Sequence, residues 1–102
     1  MIKAKKSLGQ NFLVDNNILE KIVSCADIEN KTVLEVGPGT GKLTNFILKE
    51  KPKKLCVIEK DNQLVEELKY KFKNQLNIIN DDILNIDETK LFKEKIIVFG
   101  NL

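Results

Sequence analysis

Histidine, arginine and tryptophan are absent from this sequence of 102 residues. Without histidine the chain lacks the commonest general base and the commonest metal ligand of proteins, so we expect no metal site. Lysine supplies all 17 positive charges against 15 acidic residues, which leaves a net charge of +2. This mildly basic balance is compatible with a nucleic-acid partner but does not require one. The length fits one small domain.

Cysteine and long apolar runs are also scarce. Cys25 and Cys56 are far apart and form no C-x-x-C pair, so we interpret both as buried, reduced thiols rather than a disulfide or a metal site. No run approaches the ~18 apolar residues that a membrane span requires. Residues 1–6 lead into polar residues rather than into the apolar core of a signal peptide. We therefore expect a soluble, cytoplasmic protein with no membrane partner.

Short apolar runs alternate with amphipathic segments along the chain. The runs predict strands at residues 32–36, 54–59, 76–80 and 95–99. Strands that alternate with helices indicate a parallel sheet with right-handed crossovers. In the usual doubly wound arrangement the strand order would be 3-2-1-4, with helices flanking the sheet. The predicted fold class is therefore α/β, and Rossmann-like.

The helices are predicted from their caps and their apolar faces. Asp15 is the expected N-cap of a first helix that ends at about Cys25. A second helix is expected to end at about Lys49, and Asp61 is the expected N-cap of a third helix. A short helix is expected at residues 88–93. The first helix should bury an apolar face made of Ile18, Leu19, Ile22 and Val23. The third helix should bury a face made of Leu64, Val65, Leu68 and Phe72. Residues 1–14 form a basic arm, and residues 15–102 belong to one domain.

The stretch VLEVGPGTGKLT, residues 33–44, is the most informative part of the chain. A glycine-rich turn between a strand and a helix lets the backbone approach a ligand closely. The phosphate-binding P-loop pattern fails, because Val36 stands where its first glycine belongs and Leu43 follows Lys42. The dinucleotide pattern G-x-G-x-x-G is weak, because Lys42 takes the place of its third glycine. What remains is E-x-G-x-G-x-G, which resembles the first motif of S-adenosylmethionine-dependent methyltransferases.

Acidic residues follow the next two predicted strands. Glu59 closes the second strand about 20 residues past the loop, where a carboxylate can accept hydrogen bonds from both ribose hydroxyls. Asp81 and Asp82 follow the third strand, where a carboxylate can accept a bond from an adenine amino group. Because open α/β sheets bind ligands at the carboxyl ends of their strands, these groups should share one edge.

Five segments together resemble one family closely: KKSLGQNFL, LEVGPGTGKLT, VIEKD, NDDIL and FGNL. They are similar to the bacterial small-subunit rRNA adenine-N6,N6-dimethyltransferases (KsgA-type), and the resemblance covers essentially the whole chain. The erythromycin-resistance rRNA dimethyltransferases, which act on the large subunit, are the nearest alternative. The resemblance implies S-adenosylmethionine as cofactor, small-subunit rRNA as partner, and methylation of adenine N6.

The resemblance also implies site residues. Cofactor contacts would come from the arm, the glycine loop and the ends of the strands, namely from Asn11, Leu13, Gly37, Glu59, Asp82 and Asn101. Glu59 would hold the ribose and Asp82 the adenine, with Lys60 and Ile83 beside the adenine ring. Asn101 would also be catalytic, since its amide could accept a hydrogen bond from the target amino group.

In this family the final Gly-Asn-Leu continues into Pro-Tyr, giving the N-L-P-Y motif. We therefore expect an N-terminal fragment that ends inside this motif and is inactive alone. Two other hypotheses stay open: a non-catalytic rRNA or ribosome-assembly module that binds through Lys3, Lys5 and Lys6, and a fragment of a nicotinamide-linked oxidoreductase. Residues 96–100 should form an exposed edge strand that promotes self-association.

Overall fold

The computed structural model describes residues 16–100. Its helices and strands are α1 (Asn16–Ser24), β1 (Thr32–Val36), α2 (Lys42–Lys49), β2 (Lys54–Ile58), α3 (Asn62–Phe72), β3 (Asn77–Ile79), α4 (Glu88–Leu91) and β4 (Ile97–Gly100). Two short 3-10 helices, Lys73–Gln75 and Ile83–Asn85, flank β3. The basic arm, the expected cap Asp15 and the predicted site residues Asn11, Leu13 and Asn101 lie outside the described residues.

The four strands form one parallel sheet in the order β3-β2-β1-β4, which confirms the predicted topology. Val36 at the end of β1 pairs with Ile58 of β2 and with Gly100 of β4. Ile79 at the end of β3 also pairs with Ile58. The carboxyl ends of all four strands therefore meet at one edge of the sheet, as the site prediction requires.

Helices α1, α2 and α3 cover one face of the sheet. Val23 of α1, Ile47 of α2 and Leu68 and Phe72 of α3 pack there against alternate strand residues. The strands contribute Val33, Leu55, Val57 and Phe99 to the same cluster. The other face has a smaller buried cluster, made of Leu34, Val36, Cys56, Ile58 and Phe92. Within residues 16–100 the segment 83–96 covers that second face, through Ile83, Ile86, Phe92 and Ile96.

The cap of α3 is the one predicted. Oδ1 of Asp61 accepts hydrogen bonds from the backbone N–H groups of Gln63 at 2.8 Å and Leu64 at 3.1 Å. These bonds satisfy two of the donors that every helix leaves free at its start. Val65, Leu68 and Phe72 of the predicted apolar face are buried. The helix is thus fixed at the carboxyl edge of the sheet by its cap and along its length by packing.

Two predictions about the first helix are wrong. Cys25 is exposed, because α1 ends at Ser24 and the thiol lies beyond its last turn. Ile18 is 47% exposed, since the buried stripe of this nine-residue helix runs through Leu19 and Val23 and leaves Ile18 at its margin. The prediction of a buried thiol is confirmed for Cys56. None of the helices in residues 16–100 has the length and apolar character needed to cross a membrane.

Candidate cofactor site at the carboxyl edge of the sheet

The glycine loop, residues 37–41, joins β1 to α2 in a conformation that requires glycine. Gly37, Gly39 and Gly41 have φ angles of 68°, 60° and 91°, in the left-handed region that L side chains rarely adopt. A Cβ on Gly41 would lie 2.5 and 2.8 Å from two ring atoms of Phe72, so α3 packs directly on this glycine. A Cβ on Gly39 would meet nothing within 4 Å. The loop is therefore packed at Gly41 and open at Gly39.

Backbone hydrogen bonds tie this loop to the neighbouring strand. The N–H of Gly37 donates to the carbonyl oxygen of Ile58 at 2.9 Å, which extends the β1–β2 pairing by one residue. The N–H of Gly41 donates to the carbonyl of Pro38 at 2.9 Å and closes the turn. These bonds hold both ends of the loop in place. Gly39, in the middle of the loop, therefore has a fixed position at the carboxyl edge of the sheet.

Glu59 joins three elements at this edge. It is 4% exposed, and each of its carboxylate oxygens accepts a backbone N–H: Oε1 from Gly39 at 3.2 Å and Oε2 from Asp61 at 3.0 Å. Its own N–H donates to the carbonyl of Ile79 at 3.0 Å. A carboxylate oxygen has room for two hydrogen bonds, so each oxygen keeps an acceptor position. This set suits a ligand that presents two hydroxyl groups.

Asn80 holds the backbone around Glu59 in place. Its side-chain Nδ2 donates to the carbonyl oxygen of Glu59 at 3.0 Å and, more weakly, to that of Lys60 at 3.4 Å. The amide thereby bridges the end of β3 to the end of β2. Sequence reasoning missed this residue, because the contact depends on how the two strands are aligned and not on a local pattern.

Glu35, the acid of the glycine motif, occupies a different environment. It is 2% exposed, and its Oε1 accepts a hydrogen bond of 2.5 Å from the hydroxyl of Thr44, which is fully buried in α2. Burial raises the pKa of Glu35 from 4.5 to about 7; the Thr44 bond opposes that rise and the nearby Glu59 carboxylate adds to it. Thr44 was not among the predicted site residues, although it closes the same sequence motif.

The carboxylates of Asp81 and Asp82 differ in the number of hydrogen bonds that they accept. Oδ1 of Asp81 accepts from the Asn85 side chain at 3.0 Å and from the N–H of Asp82 at 2.7 Å. Those bonds, the Asn85 bond first, lower the pKa of Asp81. Asp82 instead caps the second 3-10 helix, with Oδ1 accepting from Leu84 N–H at 2.9 Å. Neither Oδ2 has a hydrogen-bond partner within residues 16–100, so the choice of Asp82 over Asp81 stays a prediction.

The structure thus places Gly37, Glu59 and Asp82 at the same edge of the sheet. Lys60 is exposed directly after Glu59, and Ile83 is half-buried directly after Asp82. In the described part of the chain, no group of three or more potential ligands is arranged to hold a metal ion. The edge therefore offers hydrogen-bond acceptors, an open glycine backbone and one apolar side chain, which suits an uncharged ribose and a base.

Sequence reasoning also missed an aromatic residue on the surface. The stretch KYKFK, residues 69–73, alternates lysine with aromatic residues, and Tyr70 is 82% exposed. Nζ of Lys73 lies 5.1 Å from the centre of the Tyr70 ring, and Nζ of Lys71 donates to the carbonyl of Thr40 in the glycine loop at 3.3 Å. This lysine–tyrosine surface therefore reaches the loop.

Known proteins resemble this chain over its whole length. The family model for ribosomal RNA adenine dimethylase matches residues 1–102. The chain belongs to this family. Among curated relatives in the family, the ribosomal RNA small subunit methyltransferase A of Pelagibacter ubique is 61% identical over 101 residues, which are 99% of this chain and 38% of the relative. The same-named protein of Mesomycoplasma hyopneumoniae is 52% identical and is matched over 37% of its length.

Solved structures agree with the family assignment. A dimethyladenosine transferase from Plasmodium falciparum superimposes with a TM-score of 0.72 at 30% identity, covering 90% of this chain and 34% of that one. The 23S rRNA methyltransferase ErmE gives a TM-score of 0.66 at 29% identity, covering 76% of this chain and 32% of that one. The chain thus has a Rossmann-like methyltransferase fold and spans about one third of the length of these relatives.

Proposed function

We propose that this chain is the cofactor-binding part of an enzyme that transfers methyl groups from S-adenosylmethionine to N6 of adenine in small-subunit rRNA. The observation that carries the proposal is Glu59: a buried carboxylate, held by the N–H groups of Gly39 and Asp61, beside a glycine loop that is open at Gly39. Membership of the rRNA adenine dimethylase family supports the same function. The small-subunit rRNA is favoured over the large-subunit rRNA by the names of the most similar curated relatives.

Each part of the cofactor has a matching group at the edge. The free acceptor positions of Glu59 suit the two ribose hydroxyls. The carboxylate of Asp82 suits the adenine amino group, with Lys60 and Ile83 beside the ring. The backbone of Gly37 suits the amino-acid end, which Asn11 and Leu13 would cover from the arm.

The transfer needs orientation more than acid–base chemistry. The bound cofactor supplies a methyl group on a sulfonium, which an amine can attack in line without a covalent enzyme intermediate. The Asn101 amide oxygen would accept a hydrogen bond from the adenine amino group and hold its lone pair toward the methyl group. An adenine that reacts in this way has to leave its base stack, at a cost of a few kcal/mol. No step in this scheme requires a metal ion.

The RNA would be held first by its phosphates. Lys3, Lys5 and Lys6 of the arm are candidates, and so is the lysine–tyrosine surface formed by residues 69–73, because Lys71 reaches the glycine loop. Lysines bind phosphate by charge, and an exposed tyrosine can stack on an unpaired base. A protein that modifies rRNA in a bacterium works in the cytoplasm, so we infer that location.

Calorimetric titration of S-adenosylmethionine into this chain tests the function, with NAD as the control ligand and Glu59→Ala as the control variant. We expect saturable binding of S-adenosylmethionine alone, lost in the variant. Binding of NAD would instead support an oxidoreductase fragment. Binding of small-subunit rRNA by a folded chain that takes up no S-adenosylmethionine would support the non-catalytic RNA-binding module.

We also propose that β4 promotes self-association of this chain. Within the described residues β4 pairs with β1 only, and Val98 on it is 43% exposed. An unpaired strand edge offers backbone donors and acceptors to a second chain. Sedimentation velocity should show dimers or larger species that disappear in Val98→Lys, because a charge on an edge strand opposes pairing. A monodisperse monomer at high concentration would contradict this proposal.

A further inference from the structure

Glu35 is a buried carboxyl group with a single hydrogen-bond donor. The Thr44 hydroxyl donates to Oε1, and within residues 16–100 Oε2 has no donor. A carboxylate buried in this way lacks the bonds that would stabilise its charge, so the neutral acid is favoured. Glu35 lies two residues before Gly37, on the strand that leads into the glycine loop.

The charges around Glu35 do not compensate for its burial. Its neighbours on the adjacent strands are Val57 of β2 and Phe99 of β4, both apolar. The facing residue of α2 is Thr44, which carries no charge. In the part of the chain that the structure describes, the charged group that acts on Glu35 is the carboxylate of Glu59, which disfavours a second negative charge. Residues 16–100 therefore provide no cation that would pair with an ionised Glu35.

A cationic ligand would reverse this balance. If the proposed function is right, the ligand that enters this edge carries a sulfonium, and the product that leaves it, S-adenosylhomocysteine, has a neutral thioether in its place. A positive charge in a poorly solvated site stabilises a nearby carboxylate strongly. The two ligands share every other group, including the amino-acid end.

We propose that Glu35 is a proton-linked positioning residue that releases its proton to solvent when the sulfonium cofactor binds and takes a proton back when the neutral product occupies the site. The step breaks the O–H bond of the carboxyl group and forms no covalent bond. This inference rests on the proposed function, since it assumes that S-adenosylmethionine binds at this edge. Its consequence is that the preference for cofactor over product increases with pH.

The expected change in cofactor affinity with pH follows from the linkage between proton release and cofactor binding. A free-state pKa of about 7 for Glu35 means that about one tenth of the protein is ionised at pH 6 and about nine tenths at pH 8. If the cofactor requires the ionised form, its affinity rises about tenfold between these two pH values. The affinity for S-adenosylhomocysteine should change much less. The sulfonium lowers the pKa of the amino group of S-adenosylmethionine relative to that of S-adenosylhomocysteine, so Glu35 is isolated by comparing the affinity ratio of the wild type with that of a variant that cannot ionise at this position.

The test is calorimetry of both ligands at pH 6, 7 and 8, in two buffers of different ionisation enthalpy, so that released protons are counted. The wild-type chain should bind S-adenosylmethionine about tenfold more tightly, relative to S-adenosylhomocysteine, at pH 8 than at pH 6, with close to one proton released at pH 6. Glu35→Gln keeps the acceptor for Thr44 but cannot ionise, so the tenfold change should be absent and its affinity ratio should change with pH only as far as the amino groups of the two ligands differ. Glu67→Gln, which removes an exposed carboxylate of α3, should behave like the wild type.

Two failures can be told apart. If S-adenosylmethionine binds and the affinity ratio has the same pH dependence in the wild type and in Glu35→Gln, the inference is wrong and the proposed function stands. If a folded chain binds no S-adenosylmethionine at any pH, both are wrong for this chain. Should Glu35→Gln not fold, carbon-13 NMR of the wild-type Glu35 carboxyl gives the answer: its titration midpoint must fall when S-adenosylmethionine is added and stay in place with S-adenosylhomocysteine.

Discussion

Glu35 is the next-to-last residue of β1, and Glu59 directly follows the adjacent strand β2. Both face the same side of the sheet and are 2% and 4% exposed, yet their hydrogen bonds differ in kind. Two backbone N–H groups hold Glu59, one on each oxygen, from Gly39 and Asp61. One hydroxyl holds Glu35, on one oxygen. Each oxygen of Glu59 therefore accepts a backbone N–H, whereas Oε2 of Glu35 has no donor within residues 16–100. Burial alone therefore does not decide what a carboxyl group does.

Removing Glu59 should have the largest effect. Glu59→Ala leaves the partly buried N–H groups of Gly39 and Asp61 without this partner and separates the glycine loop from the start of α3. Hydrogen bonds to charged groups contribute about 1.5–3 kcal/mol each, so we expect the free energy of unfolding to fall by about 4 kcal/mol. Urea denaturation followed by circular dichroism measures it. Glu67→Gln, the exposed control, should leave the midpoint unchanged; a fall in Glu59→Ala below about 1 kcal/mol would contradict the role given to this carboxylate.

Removing the charge of Glu35 should change the pH dependence of stability. The pKa of Glu35 is raised in the folded state from 4.5 to about 7, so the unfolded chain loses this proton first as pH rises. The stability that Glu35 contributes is complete below pH 4.5 and is lost between pH 4.5 and about 7. Relative to Glu35→Gln, the wild type should therefore lose about 3 kcal/mol across that window.

Denaturation series at pH 4, 5, 6, 7 and 8 for both proteins give this difference directly. All other ionisable groups are the same in the two chains, so their titration cancels. Parallel curves would mean that Glu35 ionises in the folded chain as easily as in the unfolded chain, and the contrast with Glu59 would disappear.

Alanine substitutions at Gly41 and Gly39 should separate the stability lost through overpacking from the stability lost through backbone strain. Gly41→Ala places a Cβ 2.5 Å from the Phe72 ring of α3 at a φ of 91°. We expect a loss of about 2.5 kcal/mol, since overpacking and left-handed strain each cost at least about 1 kcal/mol. Gly39→Ala has open space and should lose only about 1 kcal/mol, through strain alone. Equal losses in thermal or urea denaturation would show that packing on Phe72 is unimportant.

The smallest effect is expected from Thr44. Thr44→Val keeps the shape of the side chain and removes the hydroxyl that donates to Glu35, so the unfolding free energy should fall by about 1 kcal/mol. Thr44→Ser, which keeps the hydroxyl, is the matched control for the loss of the donor. Denaturation at pH 5, where Glu35 is neutral, gives a clean comparison. If Thr44→Val is as stable as the wild type there, the hydrogen bond contributes nothing.

The central strands were predicted to within a residue, because buried parallel strands are continuous apolar runs. The start of the edge strand β4 was not predicted as closely, and β3 is one residue shorter at each end than predicted. β4 was predicted at residues 95–99 but begins at Ile97, whose partner Val33 is the second residue of β1. β3 is likewise limited to Asn77–Ile79, and Ile79 pairs with the last residue of β2, Ile58.

The same reasoning applies to the site. Spacing alone predicted the glycine loop, Glu59 and the acids after β3, because each lies at a fixed distance from a strand. The bonds from Gly39 to Glu59, from Thr44 to Glu35 and from Asn80 to the backbone of Glu59 join residues on different elements. Such contacts depend on strand alignment and helix placement. The sequence pattern contains neither, so these contacts could not be predicted.

The most direct test of the central claim is an NMR titration of the nitrogen-15-labelled chain with S-adenosylmethionine. The claim is that the cofactor binds at the carboxyl edge around Glu59. The amide signals of Gly37, Gly39 and Asp61 should shift in a saturable way, while those of Lys53 and Glu94, at the opposite edge, stay in place. A folded chain in which the Gly39 and Asp61 signals do not move, or move no more than the Lys53 and Glu94 signals, would contradict it.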